Sequence, residues 1–132
     1  MTAPLDAAPY ARFLGLRQHL AGSELTVTMP FHDRLIGNPL LPALHGGSTA
    51  ALMELTAVGQ VAVLFPRDRL PRPINVTVAY LRSGRPVDVH ARAIIRKAGR
   101  RVVHVECEAW QDDPTSPIAR LQAHFLVDGD DL

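Results

Sequence analysis

One stretch decides the fold of this chain: NPLLPALHGGSTAALMELTAVGQVAVLFP, residues 38–66. From Gly46 to Phe65 it is almost wholly apolar, yet it keeps one carboxylate, Glu54, in its middle. A helix that is hydrophobic nearly all round must be surrounded by protein or by lipid. Lipid is disfavoured, because a charge at the bilayer centre costs about 3 kcal/mol. We therefore predict a buried core helix that ends before Pro66.

Alternating sequences typical of half-buried strands lie on both sides of this helix. One precedes it, SELTVTMP at residues 23–30, with Leu25, Val27 and Met29 on one face. Four follow it: INVTVAYL at 74–81, VDVHARAII at 87–95, RVVHVECEAW at 101–110 and ARLQAHFLV at 119–127. The same alternation predicts one inward face on each of them: Ile74, Val76, Val78 and Tyr80; Val87, Val89, Ala91, Ala93 and Ile95; Val103, Val105, Cys107 and Ala109; Ala119, Leu121, Ala123, Phe125 and Val127. Their connections, RSGRP, KAGR and QDDPTSP, are short enough to join antiparallel neighbours. We predict a strand, a long helix and then an antiparallel meander.

The remaining segments give weaker signals. Asp6 can cap a short helix over residues 6–16, and residues 31–44 carry the glycine and prolines of a loop. No repeat or linker divides the chain, so we predict one domain, residues 1–132, with residues 1–20 as an N-terminal segment. Because a helix this apolar needs cover on all sides, the sheet has to curl around it. The predicted fold class is α+β.

Composition excludes several classes of function. The net charge of +1 is too balanced for a nucleic-acid binder that neutralises phosphates. Cys107 is the only cysteine, so no disulfide can form within the chain, which suits a reducing compartment. The first residues lack the basic flank and apolar run of a signal peptide. We expect a cytoplasmic protein without nucleic-acid or membrane partners.

The order of elements and one motif resemble the hotdog-fold acyl-CoA thioesterases, in particular the phenylacetate-pathway (PaaI-like) and 4-hydroxybenzoyl-CoA thioesterases. The matching residues are Asn38, then LHGG at residues 44–47, then Glu54, nine residues after His45. The similarity extends from about residue 25 to residue 127. The resemblance implies the hotdog fold, in which a curved antiparallel sheet of about five to six strands wraps one long central helix.

The resemblance also implies a reaction: hydrolysis of an aryl- or medium-chain acyl-CoA to the free acid and CoA, with no metal or prosthetic group. On this hypothesis Glu54 is the nucleophile or the general base that activates water. The Gly46 N–H and the Asn38 side chain bind the thioester carbonyl, while His45 and Gly47 support the loop. A helix N-terminus suits this task, because its free N–H groups favour a developing oxyanion.

The spacing of these residues predicts an oligomer. Glu54 lies eight residues beyond Gly46, which is about 12 Å along a helix axis. Both cannot readily contact the same thioester from one helix. The simplest solution is a two-fold homodimer, in which Gly46 and Asn38 of one subunit face Glu54 of the other. Two such dimers can pair into a tetramer.

The phosphates of CoA need cationic partners near the mouth of the site. The candidates for this phosphate binding are basic residues that border two turns: Arg82, Arg96, Lys97, Arg100 and Arg101. The chain departs from its relatives at Pro73, which stands where they often carry a small hydroxyl residue. We expect Thr77 to supply that hydroxyl instead. The loop between Asn38 and His45 is also one residue longer than in many relatives.

Other hypotheses stay open for the same residues. The two glycines can serve tight packing alone, and Glu54 can be a structural carboxylate. GNPLLPA, residues 37–43, resembles the GNP-x-x-PG loop of hotdog hydroxyacyl-ACP dehydratases, in which His32 would pair with Glu54. A third hypothesis is a non-catalytic acyl-CoA-binding protein.

A metal site is not expected. No His-x-x-x-His or Cys-x-x-Cys spacing occurs in the sequence. If KAGR is a hairpin turn, His90 lies opposite Cys107 and not opposite His104, so the strand histidines do not form a pair across this hairpin.

Overall fold

The computed structural model describes residues 3–127, which form two α-helices and eight strands. The helices are α1 Pro9–Leu14 and α2 Gly46–Leu64. The strands are β1 Arg17–Ala21, β2 Glu24–Met29, β3 Ile36–Asn38, β4 Ala43–Leu44, β5 Arg72–Tyr80, β6 Val89–Ala98, β7 Val102–Trp110 and β8 Ala119–Leu126. Short 3-10 turns occupy Pro4–Ala7 and Asp33–Leu35. Both limits of the predicted domain, residues 1 and 132, lie outside the described residues.

The apolar segment forms α2, as the sequence predicts. The Phe65 N–H closes the last turn on Val61 O at 2.8 Å, and Pro66 follows at once. By length and composition α2 could cross a membrane, but 56% of its apolar window is buried inside the protein. Leu52 and Met53 are fully buried in the hydrophobic core.

α2 packs against a six-stranded antiparallel sheet with the strand order β1-β2-β6-β7-β8-β5. A separate ribbon of β3 and β4 lies just before the helix in the chain. The inward positions predicted on β2, β7 and β8 are buried, and so are Val89, Ala91 and Ala93 of β6. The prediction is wrong at Val87, Ile74 and Tyr80, which are exposed, while Ile95, Val76 and Val78 are half-buried. Ile74 and Tyr80 lie on β5, the strand at the edge of the sheet. This arrangement confirms the predicted α+β hotdog fold.

The predicted meander is wrong at one connection, because β5 pairs with β8 at the edge of the sheet and not with β6. Residues 81–88 pass the ends of β8 and β7 before β6 begins, and they bond to residues there. Leu81 N–H donates to Ile118 O at 2.9 Å, and Arg85 N–H donates to Gln111 Oε1 at 3.0 Å. Three strand spacings are about 14 Å, which eight residues cover easily, so a short connection does not require adjacent strands.

The N-terminal segment also differs from the prediction. α1 begins at Pro9, and its N-cap residue Ala8 makes no side-chain bond, so Asp6 is not the cap. The Asp6 carboxylate instead accepts a hydrogen bond from Gln18 Nε2 at 3.0 Å. Strand β1, RQHLA, has no apolar alternation to predict it. It forms by pairing with β2 across a turn at Gly22, whose φ of 63° favours glycine.

Two further details of register correct the sequence analysis. Part of the expected loop at residues 31–44 is the β3–β4 ribbon. The β6–β7 turn lies two residues further along the chain than KAGR, because Ala98 lies opposite Val103. His90 therefore lies opposite Trp110, and Cys107 lies opposite Ala93.

Gln60 joins α2 to the β1–β2 hairpin. Its side chain is 4% exposed; Oε1 accepts the Leu25 N–H at 2.9 Å, and Nε2 donates to Ser23 O at 2.7 Å. A buried backbone group that loses its partner costs about 1–3 kcal/mol. Gln60 thus links α2 to the β1–β2 hairpin by two side-chain hydrogen bonds.

We expect Gln60→Leu to lower the free energy of unfolding by about 2 kcal/mol, because it keeps the side-chain size and leaves the Leu25 N–H unpaired. Urea unfolding measures the change. The control is Gln122→Leu on the exposed face of β8, where a change within about 0.5 kcal/mol is expected. Equal effects of the two substitutions would contradict the role of Gln60.

Cys107 is buried on β7, and burial raises the pKa of its thiol above the ordinary value of 9.0. We expect no reaction with a thiol reagent at pH 8 in the native protein and complete reaction in denaturant. The folded-state pKa is the higher one, so the thiol's contribution to stability is complete below pH 9.0 and is lost as the pH rises toward the folded-state pKa. Fast native labelling would contradict this burial.

Candidate active site

Hydrogen bonds between neighbouring residues hold the first turn of α2 in place. His45 is the N-cap residue, and its Nδ1 accepts the Gly47 N–H at 2.9 Å, so Nδ1 carries no proton in this arrangement. His45 O accepts two hydrogen bonds from Ser48, from the N–H at 3.1 Å and from Oγ at 2.7 Å. The His45 N–H donates to Leu35 O at 2.7 Å.

The Gly46 N–H takes part in none of these hydrogen bonds. Within residues 3–127 it has no backbone or side-chain acceptor, as expected for a first-turn N–H. It belongs to the His45–Gly46 peptide, whose carbonyl accepts both Ser48 bonds. Hydrogen bonds to the carbonyl polarise a peptide and strengthen its N–H as a donor. The turn therefore offers one strong, unoccupied donor to an oxyanion.

Tyr80 covers the same turn from the end of β5. Its hydroxyl donates to Gly46 O at 2.8 Å. A Cβ added to Gly46 would lie 3.2 Å from Cε1, Cζ and the hydroxyl oxygen of Tyr80. This close approach favours glycine at position 46, because the Tyr80 ring would have to move by a few tenths of an ångström to accommodate a Cβ.

A cleft of about 370 Å³ opens beside this turn. Gly46, Tyr80, Arg82 and Gly84 line it, together with apolar residues of β4 and β8. The Arg82 guanidinium is anchored by a 3.1 Å bond from Nε to Pro117 O. The structure thus brings Gly46 and one predicted CoA-binding residue, Arg82, to the same opening.

Glu54 lies on the face of α2 that the sheet leaves open. We call this the open face and define it by Ala50, Ala51, Glu54 and Leu55, which are all half-buried. The Glu54 carboxylate is thus not enclosed by apolar side chains in a single chain. Within residues 3–127 it has no hydrogen bond or ion pair, and it does not line the Gly46 cleft.

Asn38 does not reach the Gly46 cleft either. It is exposed, and its Oδ1 accepts the Leu40 N–H at 3.0 Å, an Asx turn that shapes the loop before the helix. Gly37 beside it must stay a glycine, because a Cβ there would lie 2.8 Å from the His45 Cα.

The other predicted CoA-binding residues lie apart from Gly46 in the single chain. Arg96 pairs with Glu106 on the face of the sheet away from α2. Lys97, Arg100 and Arg101 border a second cleft, of about 480 Å³, at the β6–β7 turn. Thr77 is exposed on β5, opposite Gln122 and on the other face from Val76 and Val78.

The histidines do not build a metal site in the described part of the chain. No group of three or more His, Cys, Asp or Glu side chains occurs there with the geometry for a metal ion. His104 and His124 stack at 4.7 Å between ring centroids beside the second cleft. His32 is exposed in the loop that follows β2.

Sequence comparison identifies the family. The profile described as "Acyl-CoA thioesterase N-terminal domain" matches residues 38–126, about two-thirds of the chain. The chain belongs to the hotdog-fold acyl-CoA thioesterase family. No curated protein matches the sequence.

Solved structures agree with this fold. A protein of Chromobacterium violaceum is 36% identical, with a TM-score of 0.75 over 94% of this chain and 86% of that one. A phenylacetic acid degradation-related protein of Ralstonia eutropha JMP134 is 23% identical, with a TM-score of 0.80 over 95% and 92%. A protein of Bacillus halodurans, crystallised with CoA, is 22% identical, with a TM-score of 0.81 over 93% and 80%. At the two lower identities the likeness concerns the fold alone.

Sequence analysis missed two residues of the turn. Ser48 follows the N-cap by three positions, where a polar side chain commonly bonds back to the cap, so a local signal was present. Tyr80 gave no local signal, because its contact with Gly46 spans 34 residues.

We expect His45→Ala to lower the free energy of unfolding by about 1 kcal/mol, because the Gly47 N–H loses its acceptor. Urea unfolding measures the loss. His32→Ala is the matched control, since the His32 side chain makes no cap bond. A similar stability for both variants would contradict the capping role of His45.

Proposed function

We propose that this protein is an acyl-CoA thioesterase that hydrolyses aryl- or medium-chain acyl-CoA to the free acid and CoA. The observation that carries the proposal is the unoccupied Gly46 N–H at the mouth of a cleft, on a helix that continues to Glu54. The thioester carbonyl oxygen accepts the Gly46 N–H as negative charge develops on it. In acyl transfer one such donor is worth about 3 kcal/mol.

Glu54 is the group we propose for the attack. It either takes a proton from a water molecule that adds to the carbonyl carbon, or it adds to that carbon itself; in both cases the CoA thiolate leaves. Within residues 3–127 its carboxylate has no partner that would fix it in a structural role. This favours catalysis over the structural-carboxylate hypothesis.

A second subunit is required to complete this site. Gly46 and Glu54 lie about 12 Å apart along the axis of one rigid helix. Two surfaces favour a two-fold dimer: the half-buried open face of α2 and the edge of β5, which no described strand pairs. On that edge Ile74 is 56% exposed, and a long unpaired strand is a template for pairing with another chain. We propose that Glu54 of one protomer faces Gly46 and Asn38 of its partner.

Arg82 is the residue we favour for the phosphates of CoA, because it shares the cleft with Gly46. Arg96, Lys97, Arg100, Arg101 and Thr77 stay candidates that a dimer would have to bring closer. The CoA found with the Bacillus halodurans relative supports a CoA thioester as substrate. The Ralstonia eutropha relative, by its name, supports an aryl acyl group. We propose that no cofactor is needed and that the protein works in the cytoplasm as a dimer or tetramer.

The first test is release of free thiol from a panel of aryl and aliphatic acyl-CoAs, with the wild type beside Glu54→Gln. We expect turnover of at least one substrate and a fall in kcat of about 100-fold or more in the variant. Glu24→Gln is the control, since Glu24 is an exposed carboxylate paired with Arg92 on the other side of the sheet.

Other outcomes identify the alternatives. Binding of thioesters without turnover in the wild type would indicate an acyl-CoA-binding protein. Hydration of an enoyl thioester would indicate the dehydratase, and His32→Ala should then abolish it.

A second test asks whether the two halves of the site come from different chains. We expect Glu54→Gln and Gly46→Pro to be nearly inactive alone. Co-expression should restore about a quarter of the wild-type activity, because half of the dimers are mixed and each has one intact site. Mixing Glu54→Gln with Glu54→Ala should restore nothing. No recovery in folded mixed dimers would place both groups in one chain.

A further inference from the structure

Tyr80 lies where the edge strand β5 ends and where α2 begins. It is 57% exposed, so it adds little to the core, yet its hydroxyl is bonded to the backbone of the first helical turn. Its ring also lies close over the Gly46 Cα, where an added Cβ would be 3.2 Å from the ring and would displace it by a few tenths of an ångström. An exposed tyrosine in such close contact with a glycine backbone acts on the turn and not on the overall packing.

The turn contains two consecutive peptide groups that make different hydrogen bonds. The His45–Gly46 peptide has its carbonyl held by Ser48 and its N–H free. The next peptide, Gly46–Gly47, is held at both ends, its carbonyl by the Tyr80 hydroxyl and its N–H by His45 Nδ1. The two peptide groups share the Gly46 Cα. A movement of the Gly46–Gly47 peptide therefore changes the direction in which the Gly46 N–H points.

We infer that Tyr80 is a positioning residue of the oxyanion site: its hydroxyl and ring fix the Gly46 backbone, so that the free N–H is presented to the cleft in one orientation. Its catalytic consequence rests on the proposed function. Tyr80 acts through Gly46 and makes no chemical step of its own. A donor held in place before the reaction avoids reorganisation when charge develops on the thioester oxygen.

The first measurement is steady-state kinetics of Tyr80→Phe, which keeps the ring and removes the hydroxyl. We expect kcat to fall about five- to tenfold, because one hydrogen bond to the turn is lost, while KM changes less than about twofold. The matched control is Tyr10→Phe. Tyr10 is also exposed, at 50%, but stacks on Phe13 far along the chain from the turn, and its substitution should leave both constants unchanged.

The second measurement does not require turnover. Amide hydrogen exchange, read by NMR, reports directly on the turn. In Tyr80→Phe we expect the Gly47 amide to exchange at least about fivefold faster, because its bond to His45 loosens. The Phe65 amide, bonded to Val61 O at the other end of α2, should exchange at the wild-type rate.

The two readouts separate failure of this inference from failure of the proposed function. Unchanged kcat, or unchanged Gly47 exchange, in Tyr80→Phe overturns the positioning role even if the wild type hydrolyses thioesters. A rise in KM with kcat unchanged also overturns it, since Tyr80 would then be a binding residue. If the wild type hydrolyses no thioester while Gly47 exchange rises, the proposed function fails and the positioning of the turn by Tyr80 stands.

Discussion

The burial of α2 against the sheet is the interaction on which the rest of the structure depends. The helix is too apolar to face water, and each large aliphatic side chain that it buries contributes about 1.5–3 kcal/mol. Its contact with the first strands is close: a Cβ on Gly59 would lie 2.6 Å from Leu25 Cδ2. At the same place Gln60 Oε1 accepts the Leu25 N–H, so this buried polar group keeps a hydrogen-bond partner.

The candidate site follows from where this buried helix begins. A helix anchored along its length in the core has a fixed first turn, and its free N–H groups are fixed with it. His45, Ser48 and Tyr80 satisfy the groups around one donor and leave the Gly46 N–H available. The donor that we propose for the oxyanion is thus held by a helix that is anchored in the core.

The same helix keeps Gly46 and Glu54 apart within one chain. The sheet covers only part of α2, so the open face with Glu54 faces outward, while Gly46 lies eight residues earlier at a separate cleft. The β5 edge offers backbone groups without a neighbouring strand within the described residues. In the dimer that we propose, a two-fold arrangement would bring the Glu54 carboxylate of one protomer to the Gly46 N–H of its partner.

Much of the fold could be predicted from local pattern. Alternation placed the inward residues of β2, β7 and β8 and most of those of β6 correctly, because one face of each strand is buried against α2. It failed at Ile74 and Tyr80, which are exposed on the edge strand β5. Unbroken hydrophobicity marked α2 as the core helix. The His45–Gly46–Gly47 motif, with Glu54 nine residues after His45, marked the family.

What the sequence by itself determined is therefore the set of elements, their buried faces and the residues offered for chemistry. Only the tertiary structure decided that β5 pairs with β8, that β1 exists, that Tyr80 lies on Gly46 and that Glu54 faces outward. These features depend on contacts between residues far apart in the chain or on which side of a helix stays uncovered. Periodicity records which face of an element is apolar, but it carries no information about which partner that face or edge will meet.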